Sequence, residues 1–271
     1  MINKIIKYVF LIILSLLFVF PFLWMILSSF KANKEVLAIP VKIFPEVWTI
    51  DAYLNLASFA NYDFSRYFLN SIFVTVLAVF LAVILCTTAG YGFAKYKFPG
   101  NNFLFFFVLS TIMIPFQAIV VPLFILMKDL GLQNSYLGLI IPESLTAFGV
   151  FLMRQFFYSV PDEIIESARI DGASEFRIFW SISVPLAKTA IFALIIFHSQ
   201  WVWNLLLWPL IIISSPEMRT IPQAISLFSG VYFTPYPEQL AISVLACLPL
   251  LFLFSIISKN FVKGITLTGL K

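Results

Sequence analysis

Glu143 and His198 are the nearest this sequence comes to an acid–base pair. His198 is its single histidine, and no second acid stands near either residue in sequence. A hydrolase needs a positioned base with a partner, and a zinc centre needs three or four clustered ligands. Neither pattern is present, although a membrane-embedded enzyme built on this pair stays open as an alternative. Gln117, Gln200 and Asn204 are polar residues in equally apolar surroundings. Polar groups in such settings tend to face a helix-bundle interior or a solute. The structural alternative for His198 is a ring satisfied by a neighbouring helix. For Glu143, directly after Pro142, it is a pairing at a chain break, and for Trp201 and Trp203 it is packing or a place at the membrane interface. Cys86 and Cys247 sit in apolar runs with no disulfide or metal spacing and read as small packing residues. Lys188-Thr189 follows Ala187 rather than Gly, and no Gly-x4-Gly-Lys-Ser/Thr loop occurs. The chain has no nucleotide-hydrolysing motif of its own.

A different chemistry is written between Ser159 and Pro185. Ser159 with Asp162 has the spacing of a capping box, and Pro161 is acceptable in a first helical turn. Ile164, Ile165 and Ala168 then share one helical face, while Glu166 and Arg169 project elsewhere. Asp171-Gly172 fits a helix stop, because Gly adopts the left-handed conformation of a C-terminal cap. A second short helix from Glu175 to Ser181 can follow before Pro185. The expected form is helix, sharp bend, helix. By these features alone it could be an amphipathic segment at a membrane surface.

The elements that position these residues follow from composition. Of 271 residues, 61% are apolar and only 11% charged, with a mean hydropathy of +1.00. A soluble domain carries about 25% charged residues. So few charges cannot cover a water-facing surface, and the 32 Phe suit a lipid-facing one. Spans of about 20 apolar residues cross a bilayer. Six such runs occur, near 8–30, 67–94, 102–127, 134–153, 187–213 and 239–258. The uncharged run from Tyr8 to Phe30 is too long for a signal peptide and is read as a retained span. The expected division is 1–66 for the first span and its outer loop, and 67–271 for a core of five spans.

With a cytoplasmic N-terminus, the inner segments hold Lys4, Lys7, Lys95, Lys97, Arg154, Arg169, Arg177, Lys188, Lys259, Lys263 and Lys271. The outer ones hold Lys31, Lys34, Lys42, Arg66, Lys128 and Arg219, four of them in one long loop balanced by acids. The positive-inside rule then puts both termini, and the segment 160–185, in the cytoplasm. The formal charge of +4 therefore reports membrane orientation and not nucleic-acid binding. In the second span Ala78, Ala82, Cys86, Gly90 and Ala94 recur every four residues, a stripe that lets another helix approach closely.

Glu166-Ser167-Ala168, three residues, Gly172, nine residues and Ile182-Ser183-Val184-Pro185 resemble the EAA motif of ABC importer permeases. That pattern is Glu-Ala-Ala, x3, Gly, x9, Ile-x-Leu-Pro. Ser167 and Val184 are conservative departures from it. Further segments resemble the carbohydrate branch: Asn70-Ser71, Ala89 to Gly100, Met113-Ile114-Pro115, Val121-Pro122-Leu123, Tyr136 to Pro142, Trp203-Asn204 with Leu207 to Leu210, and Thr220-Ile221-Pro222. Over nearly its full length the chain is similar to the maltose-permease G-type subunit family.

The resemblance implies an all-α polytopic membrane protein of the type I ABC importer permease fold. It implies six transmembrane helices and a cytoplasmic coupling helix between spans four and five. Glu166, Ser167, Ala168, Asp171, Gly172 and Pro185 would couple it to an ATPase. Gln117, Glu143, His198, Gln200 and Asn204 would be translocation-path candidates. Implied partners are a second, related permease subunit, two cytoplasmic ATP-binding subunits and an extracellular or periplasmic solute-binding protein. ATP and Mg would be bound by the ATPase and no cofactor by this chain. The implied cargo is a sugar or oligosaccharide, with another polar solute such as glycerol phosphate as the alternative; a scaffold subunit that conducts nothing also stays open. The implied location is a bacterial or archaeal cell membrane. Gly264 to Lys271 resembles a tail that reaches the ATPase. The outer loop, with Trp48, Tyr53, Tyr62 and Phe64, could cap the spans or touch the binding protein.

Overall fold

The structure is a computed structural model and describes residues 2–56, 63–228 and 234–268. All regular elements among these residues are helical. In order they are α1 Ile2–Ser28, α2 Asn33–Val36, α3 Asp51–Leu56, α4 Phe64–Lys95, α5 Asn101–Ser110, α6 Phe116–Asp129, α7 Tyr136–Ile140, α8 Ala147–Ser159, α9 Asp162–Ile170, α10 Glu175–Ile178, α11 Val184–Leu186, α12 Lys188–Trp203, α13 Leu207–Ile212, α14 Ile221–Leu227 and α15 Tyr236–Thr268. Residues 264–268 of the expected tail continue α15, and 269–271 lie outside the described residues.

Among the described residues, three helices are long and apolar enough to cross a membrane unbroken, within α1, α4 and α15. Three bent helix pairs also qualify by length and composition, which gives up to the expected six spans when each pair is counted as one. Each bend sits where the sequence breaks a helix. The third span turns by 104° between Met113 and Phe116. Ile114 is extended there, as a residue before proline prefers, and Pro115 has no N–H to continue the ladder. The fourth bends by 41° after the 3-10 turn Ile141–Glu143. It restarts at Thr146, whose side chain accepts from the Gly149 N–H at 3.0 Å. It also runs to Ser159, six residues beyond the expected end at 153. The fifth bends by 73° between Leu186 and Lys188. Its helix closes at Trp203, with α13 a separate piece after a break. Residues 187–213 are thus not one continuous helix.

The chain divides into two compact units, Met1–Phe68 with Ile221–Pro249, and Leu69–Thr220 with Leu250–Lys271. In the first, α1 is exposed along its length, as a helix apolar all round is in lipid. Residues of the expected outer loop fold against its end: Trp48 and Tyr53 pack on Phe30, and the Tyr53 and Ser29 hydroxyls share a hydrogen bond of 2.8 Å. Tyr62 lies outside the described residues. Ala52, Leu56, Phe64, Tyr67, Phe228 and Ile242 form the buried cluster of this unit.

In the second unit the small-residue stripe does what its spacing predicts. Ala78, Ala82 and Cys86 are fully buried. A Cβ placed on Gly90 would lie 2.5 Å from Met153 Cβ, and one on Gly149 would lie 2.6 Å from Cys86 Sγ. Cys86 and Gly90 of α4 thus face Gly149 and Met153 of α8, a close crossing that the small residues Cys86, Gly90 and Gly149 permit. Around it Phe105, Phe157, Ile165, Ile178, Phe179 and Leu194 complete one apolar cluster. That cluster joins the spans directly to the segment 160–185.

Candidate functional site: the segment 160–185 and a cavity beside α12

The bend forms much as its residues demand. α9 covers Asp162–Ile170, Gly172 takes φ +82°, and Ser174 caps α10 by accepting from the Arg177 N–H. A left-handed φ here is why the chain needs glycine at the turn. Two expectations need correction. Ser159 does not cap α9; it ends α8, and its hydroxyl donates back to the Phe156 carbonyl at 2.6 Å. Pro161 is the residue before the helix, with no side-chain cap. The second helix also does not stop at Ser181. It runs on through a π turn, Phe179–Ser183, and α11 to Leu186. The wide turn sits directly before Val184 and Pro185, where the proline ring displaces a carbonyl from its regular bond.

One face of this helical pair is buried and the other is not. Ile165 and Ile178 are 3% and 0% exposed. Ile170 and Phe176, on either side of Gly172, are 86% and 74% exposed. Ile164 was expected to share the face of Ile165 and Ala168, yet it is exposed while Ala168 is half-buried against the core. Glu166, Ser167, Asp171, Gly172 and Pro185 are all exposed. Glu166 makes no hydrogen bond or ion pair among the described residues. The Ser167 hydroxyl is turned onto its own helix and donates to the Glu163 carbonyl at 2.5 Å. The hydroxyl is thereby satisfied within α9 itself, which suits a serine on an exposed helical face.

Residues not singled out from the sequence hold this pair in place. Lys95 Nζ, at the end of α4, donates to the Val160 carbonyl and to Asp162 Oδ1, both at 2.6 Å. Tyr96 Oη donates to Glu175 Oε2 at 2.7 Å. Across the bend, Arg169 binds Glu175 in a two-pronged pair at 2.6 and 3.1 Å. The Tyr91 ring wedges between Phe157 and Phe179, with centroids at 5.2 and 5.0 Å. The one sequence clue was Arg169 and Glu175, opposite charges flanking a glycine bend. The links to Lys95 and Tyr96 span more than sixty residues of sequence and carried no local signal. Arg154 is not a free basic residue either. It is buried, stacked 3.6 Å from the Phe105 ring centroid, and donates to Tyr158 Oη at 2.8 Å.

The ion pairs set a pH dependence. Lys95 bonding holds the Asp162 carboxyl below its ordinary range, and Arg169 followed by Tyr96 does the same for Glu175. A depressed carboxyl contributes stability that is present above its unfolded value, about 4, and is lost as pH falls through the folded value. Burial and the neighbouring Glu175 carboxylate push Tyr96 up to about 12, so its donor proton is retained throughout neutral pH. Hydrogen exchange in residues 162–178 is therefore expected to be slow and flat from pH 8 to pH 5. After correction for intrinsic rates it should accelerate severalfold below about pH 4. An unchanged protection factor at pH 3.5 would show that these pairs do not hold the segment.

The five polar span residues separate into two groups. His198 Nε2 and the Glu143 main-chain carbonyl lie 2.8 Å apart, and Glu143 Oε2 accepts from Trp201 Nε1 at 2.9 Å. Glu143 and His198 are both buried. Gln117, Gln200 and Asn204 instead line one open cavity of about 550 Å³, together with Phe116, Phe197 and Trp201.

Residues 86–267 match the family described as "Binding-protein-dependent transport system inner membrane component". The chain is 37% identical to the arabinooligosaccharides transport system permease protein AraQ of Bacillus subtilis, strain 168, covering 97% of this chain and 94% of that one. It is 30% identical to the lactose transport system permease protein LacG of Rhizobium radiobacter, covering 96% and 94%. Among solved structures it is similar to a bacterial ABC transporter involved in the import of the acidic polysaccharide alginate. That match has a TM-score of 0.82, 25% identity and 96% coverage of both chains.

Proposed function

The chain belongs to the family of binding-protein-dependent transport system inner membrane components, and from that premise we propose that it carries a sugar or oligosaccharide across the membrane as the permease subunit of an ABC importer. The observation that carries the reading is the segment 160–185: an exposed helical bend fused, through Ile165, Ile178 and Phe179, to the core of the spans. The family's proteins are transport subunits, and the energy comes from a partner ATPase. In this reading the ATPase binds ATP and Mg and this chain binds neither. A second, related permease completes the pathway, and two ATPase subunits drive the pair. A solute-binding protein delivers cargo from the opposite side. Both termini and the segment 160–185 face the cytoplasm of a bacterial or archaeal cell.

Glu166, Ser167, Ala168, Asp171 and Gly172 form the docking turn. The exposed Ile170 and Phe176 are apolar anchors that a partner would cover, since contiguous exposed apolar groups mark interaction sites. Pro185 sits where this lever enters α12. ATPase closure would move the bend as one piece, and the Lys95 and Tyr96 bonds would carry the motion into α4 as well as α12. Rigid elements with two packings convert such a displacement into alternating access.

The test is uptake of labelled saccharides by proteoliposomes holding the full complex. Uptake is expected to require ATP, the binding protein and this chain. Uptake that persists when this chain alone is left out would sink the proposal. Substrate turnover by the purified chain without ATP would instead favour an enzyme at Glu143 and His198.

A further inference from the structure

Resting on the importer reading, we propose that the cavity bounded by Gln117 and one face of α12 is a binding subsite for a neutral saccharide, with Trp201 as its stacking platform. Phe197, Gln200, Trp201 and Asn204 follow at intervals of three, one and three residues, so α12 presents them as one stripe. Gln117 reaches the same cavity from the start of α6. Aromatic faces that pack sugar C–H groups therefore alternate with amides that can both donate to and accept from hydroxyls. The volume, about 550 Å³, is that of a small-molecule site.

Three observations say what this cavity would take. The Gln117 and Gln200 side-chain amides have no hydrogen-bond partner among the described residues. Asn204 Nδ2 donates to the Gln200 carbonyl at 2.7 Å, which leaves its Oδ1 free to accept. The platform is also built rather than incidental. Trp201 is 57% exposed, yet its indole N–H is held by Glu143 Oε2. The backbone of Glu143 is in turn bonded to His198 Nε2. Glu143 and His198 therefore act as positioning residues behind the platform. Finally, the described residues lining the cavity include no Lys, Arg, His, Asp or Glu. A uronate or a phosphate entering it would shed hydration and meet no cation. Neutral hydroxyls meet amides, and sugar C–H faces meet the rings and Leu205, Leu206 and Leu207.

The experiment uses the complete reconstituted complex and two probes, a neutral trisaccharide (arabinotriose or maltotriose) and the acidic trigalacturonate. The wild type should move the neutral probe at least tenfold faster than the acidic one. Trp201→Ala and the pair Gln117→Ala with Gln200→Ala should each lower the amount of solute moved per ATP hydrolysed at least tenfold, with the complex still assembled on gel filtration. Trp201→Phe, which keeps a stacking face, should recover most of that ratio. Unchanged ratios in every variant overturn the subsite while leaving the importer reading intact. Loss of the second permease from the Trp201→Ala complex overturns it too, because the face would then be a subunit contact. Preference of the wild type for trigalacturonate, or for a glycerol phosphate, overturns neutrality. A wild type that moves no saccharide at all overturns the importer reading with it.

Discussion

Glu166→Lys is expected to abolish solute-stimulated ATP hydrolysis while the permease stays folded and in the membrane. Both halves of this result come from the same geometry. Glu166 is exposed on α9 and makes no hydrogen bond or ion pair among the described residues. Exposed substitutions of that kind usually shift stability by less than about 0.5 kcal/mol. The folded bend is held by other groups: Gly172 at positive φ, the Arg169–Glu175 pair, and the Lys95 and Tyr96 bonds. A carboxylate that holds nothing among the described residues is available to a partner. If it meets a basic residue on the ATPase, reversing its sign replaces an attraction with a like-charge contact that costs several kcal/mol. A loss of about 3 kcal/mol weakens docking roughly a hundredfold. The measurement is ATPase rate against binding-protein concentration, paired with the thermal midpoint of the purified complex. Glu175→Lys is the contrasting variant. It removes the partner of Arg169 and of Tyr96 at once, so it should loosen residues 162–178 in hydrogen exchange, which Glu166→Lys should not. Stimulated hydrolysis that survives Glu166→Lys would place the ATPase contact elsewhere, on Ile170 and Phe176.

How much of this could be read in advance depended on the range of the interaction. Span number followed from apolar runs, because a bilayer demands length and hydropathy and little else. The helix–bend–helix of 160–185 followed from local chemistry, since Gly172 and Ser174 act on their own turns. The bends within the third, fourth and fifth spans were harder. Pro115, Pro142 and Pro185 announced a disturbance but not its angle; at the fourth span the Glu143 carbonyl is met by His198, 55 residues further on. The Ser159 capping box failed for a related reason. The preceding helix ran on to Ser159 and engaged its hydroxyl first. Polar span residues could be named but not sorted. Gln117 meets Gln200 and Asn204 only because α6 and α12 share a cavity. Glu143 separates from that group because its carboxylate is engaged by Trp201.

The close crossing of α4 on α8 is where a single substitution should do the most structural damage. Gly90→Leu adds a Cβ 2.5 Å from Met153 Cβ and 2.8 Å from the Arg154 backbone nitrogen. Neither atom is the loose end of a side chain, so the helices must part. Overpacking of this kind costs about 1–3 kcal/mol, and parting also opens the cluster around Cys86, Val150 and Phe157. Arg154 would be displaced with its helix from the Phe105 ring and from Asn102, whose side chain it reaches at 3.3 Å. A loss of 2–3 kcal/mol lowers the midpoint of a chain this size by about 5–10 °C. The disturbance should not stay local. Val160 follows α8 directly and accepts from Lys95 at the end of α4, so parting these helices strains the joint that seats the bend at 160–185. Uptake should therefore fall further than stability alone requires, at temperatures where the variant remains folded. Gly92→Ala, two residues along the same helix, is the matched comparison. A Cβ there has nothing within 4 Å, and alanine suits a helix better than glycine by about 1 kcal/mol. It should melt at or above the wild type and transport at its rate. If Gly90→Leu melted with Gly92→Ala, α4 and α8 could not be in the close crossing that places Gly90 against Met153.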